Sequence, residues 1–247
     1  MNNRKCENQK IVIEICCGGV DDVIASIKGG AHRVELNAAL ELGGLTPSLG
    51  TLRLSRAAAD IEIIAMLRPR GGGFCYSEKE FETMLADLPL LLENGADGIA
   101  FGILTPDGEL DDERCKIILE QMEKFGGGKQ AVFHMAFDDA KTDELEMLER
   151  LDSLGFARVL TKGRAEKATF GAAALRRYVE FTRSKGMKLE ILPGSGVRPH
   201  NAEEIVKKTG VNQLHGQLHR NFGAEVNVVD TEALREYVAW AEKMARG

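Results

Sequence analysis

The stretch Ile11-Val12-Ile13-Glu14-Ile15-Cys16-Cys17 decides how the rest of the chain reads. It is an apolar, β-branched run with a carboxylate inside it and two adjacent thiols at its C-terminal end. Closed by Gly18-Gly19, such a run reads as a buried strand. Seven similar runs begin near residues 32, 61, 98, 130, 158, 189 and 213. Between them lie segments with apolar residues at helical spacing, such as Val20 to Ile27, which Gly29-Gly30 ends. Ser77-Glu78-Lys79-Glu80 is a capping box for a long helix. Strand starts about 30 residues apart match the βαβ unit. The alternation demands a parallel sheet, and eight units can close into a (β/α)8 TIM barrel of the α/β class. A doubly wound open sheet is the alternative, but the first strand-helix turn, Cys17-Gly18-Gly19-Val20, lacks the G-x-G-x-x-G of that fold. The expected organisation is a flexible lead-in over residues 1–10 and one barrel domain over 11–247. Within it the fifth strand is expected over Gln130–Phe137 and the eighth over Gln213–His219, followed by a polar connection. Asn201 and Thr231 are expected to cap the last two helices.

Bulk properties narrow the function classes. The net charge is −6, whereas a nucleic-acid binder that neutralises phosphates carries a basic patch, so nucleic acid is not expected as a partner. No apolar run approaches the ~20 residues of a membrane span, and Met1 to Lys10 has no signal-peptide core. A cytoplasmic protein is expected. Five cysteines, an odd number without CxxC spacing, fit reduced thiols better than a disulfide framework or a structural zinc site.

Period-two alternation assigns faces to the strand residues. A charged Glu14 against the apolar helix layer is costly, so Glu14 and Cys16 belong inside the barrel, with Ile13, Ile15 and Cys17 outside. The same reasoning sends inward Arg33, Glu35 and Asn37, then Arg68, His134 and Asp138, Glu190, and finally His215, Gln217 and His219. Barrel cores are ordinarily filled by branched aliphatics, so this many polar groups exceeds what packing requires. A mutually compensating ion network without chemistry is the simpler account of the same residues. Glu14 and Glu35 are the acid/base candidates, because two carboxylates in one enclosed site push their pKa values apart. His134 is a candidate proton shuttle, with Asp138 four residues on to orient it. Leu192-Pro193-Gly194-Ser195-Gly196 follows the seventh strand, where barrels often bind phosphate; Gly194, Ser195 and Gly196 would bring backbone N–H groups to an anion. Arg68 and Arg70 would add guanidinium groups at the same mouth, and His215 a further ligand contact.

The chain resembles the CutC copper homeostasis family. The likeness covers about residues 11–220 and rests on Glu14-Ile15-Cys16-Cys17, Arg33-Val34-Glu35-Leu36, Gly43-Gly44-Leu45-Thr46-Pro47-Ser48-Leu49-Gly50, Arg68-Pro69-Arg70-Gly71-Gly72, Phe133-His134 with Ala136-Phe137-Asp138, and Gly194-Ser195-Gly196-Val197-Arg198. The resemblance implies a cytoplasmic TIM barrel, often a homodimer, linked to copper tolerance. It implies Cu(I) bound by the paired cysteines Cys16 and Cys17 together with a second-strand cysteine. This chain has Asn37 at that third position, and Met135 where family members often carry arginine. Two thiolates and an amide match soft Cu(I) less well than three thiolates. Adjacent strand residues also face opposite ways, so Cys16 and Cys17 share an ion only if the strand has already turned at Gly18-Gly19. Cys75 is a candidate third sulfur.

Three functions are therefore open: a Cu(I)-binding protein of copper homeostasis, an enzyme acting on a small anionic, phosphorylated metabolite, and a scaffold carrying a dimer surface. All but the last require the strand ends to meet in one cleft.

Overall fold

A computed structural model describes residues 10–58, 60–126, 128–222 and 226–246. The lead-in up to residue 9, Cys6 included, lies outside the described residues. Strands β1 (Val12–Cys17), β2 (Arg33–Leu36), β3 (Glu62–Met66) and β4 (Gly98–Phe101) alternate with helices α1 (Val20–Lys28), α2 (Leu49–Ala58), α3 (Glu78–Glu93) and α4 (Asp112–Glu123). The second half adds β5 (Gln130–Phe133), a short α5 (Ala136–Asp139), α6 (Glu144–Leu154), β6 (Arg158–Thr161), α7 (Ala172–Lys185), β7 (Glu190–Pro193), α8 (Pro199–Thr209) and β8 (Gln213–Gly216). A hairpin, β9 (His219–Phe222) with β10 (Val226–Val229), precedes α9 (Thr231–Arg246).

Among the described residues, eight parallel strands pair in the order β7-β6-β5-β4-β3-β2-β1-β8. Both ends of that order come together: Gln213 Nε2 on β8 donates to Glu190 Oε2 on β7 at 3.1 Å. The sheet is thus a nearly closed TIM barrel, as the strand spacing predicts. No helix among the described residues is long and apolar enough to cross a membrane.

Two cores follow from the alternation of side chains. Ile13, Ile15, Cys17, Val34 and Leu36 point outward and join the large core between strands and helices. Each such aliphatic contributes about 1.5–3 kcal/mol on full burial, so this layer supplies most of the stability. The barrel interior holds a much smaller apolar cluster of Ile64, Met66, Ala100, Val132, Leu160 and Leu192, all from β3 to β7. From β1, β2 and β8 the interior receives Glu14, Cys16, Arg33, Glu35, Gln213 and His215 instead.

Several expected local features differ. β5 ends at Phe133 and turns into α5, so the chain has left the sheet before Asp138. β8 ends at Gly216, and the expected polar connection contains the β9–β10 hairpin. The helix expected to begin at Asn201 begins at Pro199; Asn201 Oδ1 reaches back to accept the Arg198 N–H at 2.9 Å. Asp230, not Thr231, accepts the first N–H groups of α9, from Glu232 and Ala233. The Ser77–Glu80 capping box is formed as expected.

Candidate active site

Parallel register brings the polar residues together. Glu14 is level with Arg33 on one side and His215 on the other, and Cys16 is level with Glu35. Because all of them face inward, a chain of contacts runs up the barrel. Arg33 Nε donates to Glu14 Oε2, and Glu14 Oε1 lies 2.6 Å from His215 Nδ1. With Nδ1–H donated to that carboxylate, Nε2 of His215 is left facing Glu35 Oε2 at 4.0 Å. Cys16 Sγ is 3.9 Å from the same oxygen. Asn37 Nδ2 closes the group, 3.0 Å from Glu35 Oε2 and 3.6 Å from Cys16 Sγ. Ligand atoms of Cys16, Glu35 and His215 all lie within 4.8 Å of one another, close enough to hold a metal ion.

Burial and neighbours push the two carboxyls apart. Burial raises Glu14, but Arg33 and His215 more than offset this and hold it below the carboxylate range. Burial raises Glu35, the Glu14 charge adds to that, and His215 only partly compensates, so its pKa ends above the usual value. Burial opposes the charge on His215, yet Glu35, Cys16 and Glu14 outweigh it, and the imidazole stays protonated well above its ordinary range. The half-buried Cys16 thiol is pushed up to about 11, chiefly by burial.

A second wall stands across the barrel. His134 follows β5 directly, and its Nδ1 accepts the Ala136 N–H at 3.2 Å. A Cβ on Gly102 would sit 2.7 Å from that Nδ1, so the ring can occupy this place only because β4 runs into a glycine. Arg68 follows β3. Its Nη atoms donate to the carbonyls of Gly43, Gly44 and Gly72, and its guanidinium packs over Phe74 at 4.8 Å. The Phe74 ring also lies 4.8 Å from the His134 ring. Burial and the Arg68 charge lower the His134 pKa to about 3, so this histidine is neutral.

Between the two walls lies a cavity of about 320 Å3. Its mouth is formed by the turn after β7, where Ser195 and Gly196 both have positive φ, and by Arg198. Gly194 sits beneath: a Cβ there would meet Leu160 at 2.6 Å and Met135 at 3.0 Å.

The structure thus brings Glu14, Glu35, Cys16, His215, Arg68, His134, Ser195 and Gly196 to one place. It does not bring the others. Cys17 lies on the opposite face of β1, buried 3.4 Å from Ser26 Oγ on α1, because the strand stays regular through residue 17. The expected Cys16–Cys17 thiol pair is therefore not formed. Asp138 does not orient His134; it accepts from Thr161 Oγ1 at 2.7 Å and from the Arg164 N–H at 2.7 Å, pinning the turn after β6. Arg70 turns outward to Glu80 at 2.7 Å and to loop carbonyls. Cys75 is exposed. His219 lies outside the cluster, 3.0 Å from Asp22. Glu190 sits at the barrel floor with Gln213. Sequence reasoning missed Arg198 and Gly102 as site residues. The signals were present: a cation two residues after the Gly194–Gly196 turn, and a glycine ending an interior strand face.

The match to known proteins covers the same residues. The CutC family profile fits residues 11–220. The chain belongs to the CutC family. A CutC protein of Treponema denticola is 47% identical over 207 residues, which are 84% of this chain and 81% of that one. A human protein named as a copper homeostasis protein cutC homolog is 37% identical over 204 residues, 83% of this chain and 72% of its own. The crystal structure of a CutC protein from Streptococcus agalactiae superposes with a TM-score of 0.74 at 33% identity, covering 83% of this chain and 98% of that one.

Proposed function

We propose that this CutC barrel binds and transforms a small anionic metabolite at the mouth between its two walls. One observation carries the reading: Glu35, His215 and the guanidinium groups of Arg68 and Arg198 line one cavity of about 320 Å3, with Glu14 held behind His215. A concave pocket with few, convergent polar groups and perturbed titrations is the usual mark of an active site. Arg68, Arg198 and protonated His215 favour negative charge, and Glu35 and His215 face each other as the pair through which a proton can move. A thermal-shift screen of phosphorylated and carboxylated metabolites tests this. Stabilisation by one chemical class, lost in Arg198→Ala, is the expected result, and no response from either class would sink the reading.

A second reading is favoured by the Cys16–Glu35–His215 cluster and by the copper homeostasis name of relatives. In it the site holds Cu(I) through Cys16 Sγ and His215 Nε2. Glu14 on Nδ1 is the outer-shell carboxylate that fixes a metal-bound imidazole. Thiolate and imidazole suit a soft ion, and linear S–metal–N coordination spans about 4.3 Å by ordinary bond lengths. Binding would displace the protons of both ligands, so it weakens as pH falls. Anaerobic Cu(I) titration against a chelator separates this arrangement from a two-thiol one. Cys16→Ser and His215→Gln should each weaken binding, and Cys17→Ser should not. A Cys16→Ser protein that binds as tightly as the parent removes copper from this pocket.

A further inference from the structure

The wall formed by Arg68 and His134 contains a buried donor with nothing to donate to, His134 Nε2, and a second, Arg68 Nε, without a close partner. His134 Nε2 and Arg68 Nε have no partner among the described atoms, and both residues line the cavity. Their remaining polar atoms are occupied. Ala136 N–H donates to Nδ1 of His134, which leaves the ring proton on Nε2. The Nη atoms of Arg68 are spent on loop carbonyls. Both side chains are also held in place, His134 against Gly102 and Phe74, Arg68 over Phe74. A fixed, unpaired imidazole N–H on a residue of the cavity wall, beside a guanidinium charge, is a place for an oxygen acceptor to dock.

We propose that the cavity takes an α-hydroxycarbonyl compound bearing an anionic group, with its carbonyl oxygen seated against His134 Nε2–H and Arg68 and its adjacent C–H turned to Glu35. This rests on the metabolite reading above. The anionic end belongs at the Ser195–Gly196 turn and Arg198, at the strand end where barrels commonly hold phosphate. The chemistry that fits is enolisation. Glu35 takes the proton from the carbon beside the carbonyl. The C–H electron pair becomes the C=C bond, and the carbonyl π pair moves onto the oxygen. Return of that proton to the former carbonyl carbon, while the hydroxyl proton of the enediolate passes to the former carbonyl oxygen and the other oxygen becomes the new carbonyl, gives the isomer, with no co-reactant needed. A neutral histidine suits this oxygen better than an imidazolium, because its N–H stabilises developing charge without giving up its proton to the substrate oxygen. His134 is held neutral by burial and by Arg68.

Calorimetric titration of the full chain with ethyl phosphate and with 2-phosphoglycolate tests the station. The second probe carries a planar carboxylate where an enediolate would be. The expected result is at least tenfold tighter binding of 2-phosphoglycolate. That preference should vanish in His134→Phe and survive in part in His134→Gln, which keeps a donor near the same place. Gly102→Ala, which drives a methyl group into the ring, should also reduce it. With dihydroxyacetone phosphate in D2O, wild-type protein should introduce deuterium at the hydroxyl-bearing carbon beside the carbonyl faster than buffer alone, and Glu35→Gln should not. Equal binding of both probes, or an unchanged preference in both His134 variants, overturns the carbonyl station while leaving an anion pocket standing. Failure of both probes to bind overturns the station and counts against the pocket as well. Absence of exchange overturns the proton transfer.

Discussion

Two buried histidines in the same cavity are held in opposite states. His215 stands on the β1/β2/β8 wall between two carboxylates, and that wall keeps it charged. His134 stands on the β3/β5 wall beside a guanidinium and an amide donor, and that wall keeps it neutral. Burial disfavours charge on both; the sign of the neighbours decides the outcome. A related division runs through the middle of the barrel, above a floor where buried Arg158 on β6 meets Glu62 and Gln130. One side of the barrel is packed with aliphatics, as barrels usually are, and the other carries a charged chain from Arg33 to Glu35. Packing explains the first side. The second is costly to build unless each charge is paired, which makes it the side to test for function.

The sharpest way to break the comparison is to remove Glu14. Glu14→Ala strands Arg33 and His215 without their partner and should cost about 3–5 kcal/mol, read from urea unfolding. It should also lower the His215 pKa, with Glu35 still holding part of the upward shift. On the other wall, Leu160→Ala should cost about 2–5 kcal/mol through the void it leaves, with the His215 titration unmoved. If Leu160→Ala shifts His215 as much as Glu14→Ala does, the two walls are not independent.

The pH dependence separates the histidines by sign. His215 has a folded pKa well above its ordinary 6.5. Its stabilising contribution is complete below about 6.5 and is lost as pH rises through the folded value. Glu35, raised in the fold, adds to the loss over the range between its ordinary and its raised value. His134 runs the other way. Its folded value is about 3 against an ordinary 6.5, so the unfolded chain takes up a proton that the native state refuses, and stability falls as pH drops from about 6.5 towards 3. Unfolding midpoints between pH 4 and 9 should show His215→Gln flattening the alkaline side and His134→Phe flattening the acid side. The smallest effect is expected at Arg70, whose pair with Glu80 is solvent-exposed. Arg70→Ala should change neither unfolding nor ligand affinity measurably, whereas Arg68→Ala should weaken the ligand response seen in thermal shift.

Much of this was legible in the sequence, for definite reasons. The barrel showed itself because each strand and helix repeats at a steady spacing. The inward placement of Glu14, Glu35, Arg33, His134 and His215 followed from period-two alternation and the cost of a charge against the helix layer. Errors fell where a strand ended sooner or later than expected. Carrying β5 through Phe137 put Asp138 in the barrel, but the turn into α5 sends it to Thr161. A turn at Gly18-Gly19 that already reached the thiols would have joined them, but the ladder with β2 stays regular to Cys17 and keeps them on opposite faces. Arg70 follows Arg68 by two residues, a spacing that predicts a shared direction only within a strand, and both lie beyond Met66 where β3 stops. The orphaned Nε2 of His134 has no signature in the sequence, because it depends on which carbonyls and amides the loops bring near it.

The most direct test is a 15N-detected NMR titration of the imidazoles in the intact chain, assigned with His134→Phe and His215→Gln. His215 should keep both nitrogens protonated well past neutral pH. His134 should remain a single Nε2–H tautomer down to the lowest pH at which the protein stays folded. If both rings titrate together near 6.5, the opposed walls do not exist, and the account of the pocket built on them is contradicted.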